Sequence, residues 1–273
     1  MYRNLKQYKY NHIHMTTLEK GVIPNIQGGL GNQMFMVAAS YVVHKTSGVP
    51  LYILETPPNV HNIKNYDYTL NIFKHFISHH PLSENNICIS DYNLFSHIQA
   101  FLPWDPSLIK AGTIMCGYFQ YYPVLEPYQK EIRELFLKGL VMPEKDYSSY
   151  AFLHIRRGDY LNNPDIHYIQ PLEYYEKASE NFSKILVVSD DMEWVKAQEF
   201  FKGSKFELFE SDNELETLAV MSSCKAGAIC ANSTFSWWGA FLGAYGSRNP
   251  VYVPKKWISS PIVSLFPDEW III

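Results

Sequence analysis

The stretch "YAFLHIRRGDYLNN", residues 150–163, decides how the chain is read. Its first part, Tyr150 to Ile155, is apolar apart from His154 and is bounded by a glycine-containing polar turn. A short continuous apolar run of that kind is the pattern of a strand buried on both faces, as in a parallel sheet. The run ends in Arg156, Arg157, Gly158 and Asp159. Ligands of open parallel sheets bind beyond the carboxyl ends of the strands. Two guanidiniums placed there either pair with Asp159 within the loop or wait for an anion that the chain does not supply. We expect both: Asp159 orients one arginine, and the other meets the ligand.

The same pattern repeats outward from this stretch. Runs at 184–189, 205–209, 226–231 and 250–254 read as further strands. Helical patterns at 171–182, 192–203 and 211–224 separate most of them, the last with Ser211 and Glu214 at capping-box spacing. Upstream, "VIPNI" (22–26) leads through "QGGLGN" into an apolar helix over 32–48 that stops at Gly48, and "VPLYIL" (49–54) follows as a strand. Strand, turn, helix and strand make a βαβ unit, which demands a parallel pair. "TIMCGYFQ" (113–120) reads as another strand, and 126–140 as a helix with Pro127 in its first turn and Gly139 near its end. Between Glu55 and Lys110 the prolines Pro57, Pro58, Pro81, Pro103 and Pro106 interrupt any period, so short helices and loops are expected. Repeated βα units predict an α/β fold of two Rossmann-like halves, with mostly parallel sheets facing a cleft. The partition is an N-terminal arm (1–20), a first half (21–142), and a second half (143–273) joined through the linker "VMPEKDYSS".

Composition narrows the function classes. A chain of 273 residues with 47% hydrophobic residues can bury a large core. Its 20 tyrosines and 16 phenylalanines suit both a core and a sugar-binding cleft. A net charge of −4 without a long basic run argues against a nucleic-acid partner. Cys88, Cys116, Cys224 and Cys230 have no zinc-type or CxxC spacing and fit a reduced compartment. No signal-peptide core and no apolar window of about 18 residues is present, so a soluble, cytoplasmic protein without a membrane span is expected.

Four strand-end loops carry candidate chemistry. In "GGLGN" (28–32), Gly28, Gly29 and Gly31 let backbone amides approach a bound group, and Asn32 sits where the helix should begin. A tight turn made for packing explains the same glycines. In "NSTFSWW" (232–238), Ser233, Thr234 and Ser236 cluster at a helix start, able to donate to phosphate oxygens. Plain N-capping by Ser233 with Trp237 and Trp238 in the core is the alternative. Asp190 and Asp191 either contact a nucleoside or cap the following helix. His154 is either a core histidine or part of the site. No spacing for a metal site and no G-x-S-x-G elbow appears.

Together these motifs resemble glycosyltransferase family 11, the α-1,2-fucosyltransferases. The matching pieces are "GGLGNQMF" (28–35), "GYFQ" (117–120), "HIRRGDY" (154–160), "VSDD" (188–191) and the long stretch 214–242 that ends in "ANSTFSWWGAFL". They follow the family's order and cover nearly all of the chain after residue 20. The resemblance implies a GT-B fold with GDP-fucose held by the C-terminal half, and metal-independent, inverting transfer to a glycan hydroxyl. No cofactor is implied, and the linkage is α-1,2 to galactose or a similar sugar. It places Arg156 on the donor β-phosphate, His154 by the nucleotide, and Arg157 and Asp159 in support, with Asp159 also a candidate base. Gly29, Gly31 and Asn32 would face the pyrophosphate from the N-terminal side, and Asp190, Ser233, Thr234 and Phe235 would line the donor pocket. Animal members carry an N-terminal membrane anchor that this sequence does not show, and residues 55–112 carry no motif of the family. Transfer of another GDP-deoxysugar and a non-catalytic glycan- or nucleotide-binding role are the alternatives.

Overall fold

In the computed structural model, residues 19–54, 68–77, 91–97, 100–258 and 264–273 are described. Residues 1–18 of the expected arm, Pro57, Pro58, Pro81 and Cys88 lie outside them. The apolar run that opened the reading is β4 (Ala151–Ile155), buried along its whole length. It pairs in parallel with β5 (Ile185–Ser189) on one side and β7 (Gly227–Ile229) on the other. β6 (Phe206–Phe209) extends the sheet beyond β5, and β8 (Val251–Val253) beyond β7. A two-residue strand that the pattern did not foretell, β9 (Ile271–Ile272), closes the far edge. The order is β6-β5-β4-β7-β8-β9, parallel throughout.

The smaller sheet has the order β1-β3-β2, formed by β1 (Val22–Pro24), β2 (Asn93–His97) and β3 (Thr113–Gly117), again parallel. The expected strand over 49–54 is reduced to isolated bridge residues, Leu51 and Leu54; Leu51 pairs in parallel with Val22, flanked by bonds from Val22 N to Pro50 O and from Tyr52 N to Val22 O. Pro50 has no N–H to give a ladder, so the crossover through α1 (Leu30–Ser47) is made but its second strand is short. β2 falls in the stretch read as irregular. It is a mostly exposed edge strand, so no apolar run announces it.

Helix boundaries differ from the sequence reading in instructive ways. α1 begins inside the glycine loop, two residues early, and ends where expected: Gly48, at φ 74, donates to His44 O. The predicted helix 126–140 is a 3-10 turn holding Pro127 followed by α3 (Gln129–Lys138), and a short helix not foreseen, α2 (Tyr122–Leu125), precedes it. α4 spans Leu172–Ser179. The predicted helix 192–203 is α5 (Met192–Ala197) followed by a 3-10 turn, because Gln198 adopts an extended backbone at ψ 125. The capping box at Ser211 is not formed. α6 (Glu214–Ser223) starts three residues later, with the Asn213 side chain accepting from Leu215 N and Glu216 N. α7 (Thr234–Leu242) follows β7.

α1 and α7 join the two sheets. Phe35 packs on Trp237 and Trp238 at ring separations of 4.7 and 4.9 Å, and Trp238 Nε1 donates to Gly31 O at 2.9 Å. Both tryptophans are fully buried, as the core reading of "SWW" held. One hydrophobic cluster therefore runs from Val22 and Phe35 through Trp238 to Val253, while a second covers the other face of the large sheet around Leu153, Ile155 and Val187. The carboxyl ends of the strands in both sheets are left facing a common cleft.

Candidate active site

The cleft has a volume of about 1120 Å³. Every strand-end loop contributes to it: residues 28–32 after β1, Tyr118 and Gln120 after β3, Arg156 and Asp159 after β4, Asp190 after β5, Ser211 and Asp212 after β6, residues 232–235 after β7, and Trp257 after β8.

The "GYFQ" motif shows how local backbone builds this wall. Gly117 at φ 143 and Phe119 at φ 50 turn the chain sharply. Phe119 goes fully into the core, while Tyr118 and Gln120 line the cleft. A side chain at Gly117 would meet His97 O at 2.3 Å, so the turn requires glycine.

Arg156 is the first residue beyond β4 and faces the cleft. Its guanidinium bonds Asp159 at 2.7 Å and Asp190 at 3.1 Å, and stands 5.5 Å from the centre of the Tyr160 ring. Burial opposes its charge, but Asp190 and Asp159 outweigh burial and hold its pKa above the ordinary arginine value. Gly158 lets the loop close: a Cβ there would lie 2.6 Å from Asp190 Oδ2.

Arg157 points elsewhere. Its Nε donates to Asp191 at 3.0 Å, its guanidinium lies 4.3 Å from the Trp194 ring centre, and its backbone N–H donates to Asp190 at 2.8 Å. It does not line the cleft. The two aspartates divide accordingly: Asp191 caps α5 through Trp194 N, and Asp190 turns to Arg156.

His154 is buried, its Nδ1 lying 2.5 Å from Ser236 Oγ. That oxygen accepts from Ala231 N at 3.1 Å. Ser236 thus links the His154 ring to the backbone at Ala231. Burial first, and then Arg156, push the His154 pKa down to about 3, so the ring is neutral at physiological pH.

Asn32 ties the halves together. Its Oδ1 accepts from Gln120 Nε2 at 2.9 Å and from Thr234 Oγ1 at 3.0 Å. The N-terminus of α1 has Gly29 as its cap residue and no side-chain cap, with open space around Gly29. Gly31 lines the cleft and also shows the packing alternative of the sequence reading. A Cβ there would lie 2.5 Å from Phe235 N and 2.6 Å from Thr234 Oγ1, so this glycine lets α1 and α7 touch. Ser233 caps α7 through Phe235 N, the capping alternative of the sequence reading. Of the sequence-predicted residues, Gly29, Gly31, Asn32, His154, Arg156, Asp159, Asp190, Ser233, Thr234 and Phe235 share one cleft, and Arg157 stands behind it.

Two groups of lining residues were not singled out in the sequence. On the β5–β6 side are Phe209, Ser211, Asp212, Glu214 and Thr217; Glu214 accepts from the Tyr68 hydroxyl at 2.6 Å. On the β7–β8 side are Tyr160, His167, Asn232, Trp257 and Ile258; the Tyr160 hydroxyl donates to Asn232 O at 2.9 Å. Tyr160 and Asn232 lie within quoted motifs and were findable there. His167 stands alone in a polar loop with no period to mark it.

Electrostatics divide the site. Arg156 shares the cleft with the N-terminal ends of α1 and α7 and with the neutral His154 ring. Among the described residues no cluster of three or more His, Cys, Asp or Glu side chains is placed to hold a metal ion, and no helix is long and apolar enough to cross a membrane.

A fold of parallel sheets with a strand-end cleft is shared by many proteins, and the comparison with known families is more specific. Residues 117–273 match the family model of glycosyl transferase family 11, and the chain belongs to that family of glycosyltransferases. It is similar to the O-antigen biosynthesis glycosyltransferase WbnK of Escherichia coli, with 29% identity over 90% of this chain and 98% of that one. It is similar to an α-1,2-colitosyltransferase of E. coli, with 26% identity over 92% of this chain and 98% of the other. A pig (Sus scrofa) galactoside α-(1,2)-fucosyltransferase 2 is 24% identical over 90% of this chain and 76% of its own length.

Proposed function

We propose that the protein transfers L-fucose from GDP-fucose to a glycan hydroxyl, forming an α-1,2 linkage to galactose or a similar sugar, with inversion and without a metal. The observation that carries this reading is Arg156, held at the end of β4 by two carboxylates and facing the uncapped N-terminus of α1 across the cleft. Breaking the bond between the sugar and the phosphate places charge on the β-phosphate. Arg156 and the backbone donors at the start of α1 meet that charge more strongly in the transition state than in the bound donor. Arg157 acts one step back: it fixes Asp191 and, through its N–H, Asp190, which in turn orients Arg156. Residues 143–273 supply the donor side and residues 21–142 the acceptor side. The relatives that act as an α-1,2-fucosyltransferase and an α-1,2-colitosyltransferase support both the linkage and a deoxysugar donor. The second favours GDP-colitose as the competing donor. The unpaired Cys116, Cys224 and Cys230 suit a reduced cytoplasm.

Thermal-shift titration with GDP, UDP and ADP tests the donor class. Selective stabilisation by GDP is expected, growing with ligand concentration as linkage requires. A preference for UDP would overturn the reading.

A further inference from the structure

Transfer to a hydroxyl requires a group that takes its proton, and the carboxylates near Arg156 are already engaged. Asp159 and Asp190 are both bonded to Arg156. Glu214 is held by the Tyr68 hydroxyl, and Asp212 likewise has a partner. His154 is fixed by Ser236 and buried.

His167 differs from all of these. It lines the cleft, and its ring lies flat on Tyr160, with centroids 4.2 Å apart and planes 8° apart. Its Nδ1 is buried with no hydrogen-bond partner among the described residues. A half-turn about χ2 preserves the stack and carries Nδ1 to the position of Cδ2 and Nε2 to that of Cε1.

Tyr160 is also the ring beside Arg156, whose guanidinium carbon stands 5.5 Å from its centre. Cation and imidazole are thus separated by no more than these two spans together. Inversion at a sugar carbon puts the leaving oxygen and the incoming hydroxyl on opposite faces of the ring. In inverting sugar hydrolases the two working groups stand about 6.5–9.5 Å apart. Arg156 and His167 both line the cleft, with Tyr160 as their common neighbour.

We propose that His167 is the general base of the transfer, an inference that rests on the inverting reading above. The acceptor oxygen bonds to the anomeric carbon as the bond from that carbon to the phosphate oxygen breaks. The bonding pair leaves on the β-phosphate of the nucleotide, and the hydroxyl proton passes to the imidazole, which later releases it to water. The charged groups facing His167 are Asp159, which favours its protonation, and Arg156, which opposes it; burial is the largest influence and lowers its pKa below the ordinary histidine value. The shift favours the free base, so the acid limb of the rate profile is displaced below that of an ordinary histidine.

The test compares wild type with His167→Ala and His167→Gln, using methyl β-D-galactoside as acceptor and either GDP-fucose or GDP-colitose, whichever wild type turns over. Inactivity of wild type with GDP-fucose would count against the donor reading and leave the comparison of variants intact on the other donor. The expected result is unchanged GDP binding, a fall in transfer kcat of about 10²–10⁴-fold, loss of the acid limb, and partial recovery of the alanine variant on adding imidazole. Wild-type kcat in either variant would overturn the proposal. So would a loss matched by weaker GDP binding and unrescued by imidazole, since that is the signature of a structural role.

Discussion

Arg156 is a cation between two carboxylates, and the arrangement explains why arginine is needed there. Its forked guanidinium bonds Asp159 and Asp190 from different nitrogens and still presents an edge to the cleft. A lysine is a single point charge and cannot reproduce the fork. Arg156→Lys should therefore keep the fold and lose most transfer activity, measurable as kcat with an unchanged melting temperature. His154 makes a prediction about pH. Its folded pKa, pushed to about 3, lies below the unfolded value near 6.5, so the unfolded chain binds the extra proton between these values. Stability should be fully present above pH 6.5 and decline on acidification, by about 1 kcal/mol per pH unit from this group. Urea unfolding midpoints measured from pH 7.5 to 5 check it: His154→Gln, even if less stable at pH 7.5, should show a shallower slope.

At the scale of elements, the decisive contact is α1 against α7 across Gly31. The space beside this residue is closed by the backbone of Phe235 and the Thr234 side chain. Gly31→Ala should separate the helices, strain the Trp238–Gly31 hydrogen bond and cost about 1–3 kcal/mol, read as a lower thermal midpoint. Gly29→Ala, with nothing near it, should have little effect on stability. The contrast shows what was legible in the sequence. The glycine loop declared that backbones come close, but not whether to a ligand or to another helix, because Phe235 lies some two hundred positions away. β4, β5 and the other buried strands were legible because parallel strands covered on both faces are continuous apolar runs. The exposed β2 and the two-residue β9 carry no such signal. The motif loops revealed the Arg156 side of the cleft, whereas His167 was hidden because its neighbour in space, Tyr160, fixes it by stacking and leaves no pattern along the chain.

At the scale of the molecule, the two sheets share one hydrophobic cluster through α1 and α7, and the Asn32–Thr234–Gln120 bonds bridge the cleft floor. Large motions of one half against the other would break that cluster, so thermal unfolding monitored by tryptophan fluorescence and by circular dichroism should give coincident transitions. Two separated transitions would show that the halves fold apart. The central claim is that this joined scaffold holds Arg156 where the departing phosphate needs it. The most direct measurement is the transfer kcat of Arg156→Ala with GDP-fucose, beside its circular dichroism spectrum. The account predicts a native spectrum and a fall of about 10²–10³-fold or more; a native spectrum with kcat close to wild type would contradict it.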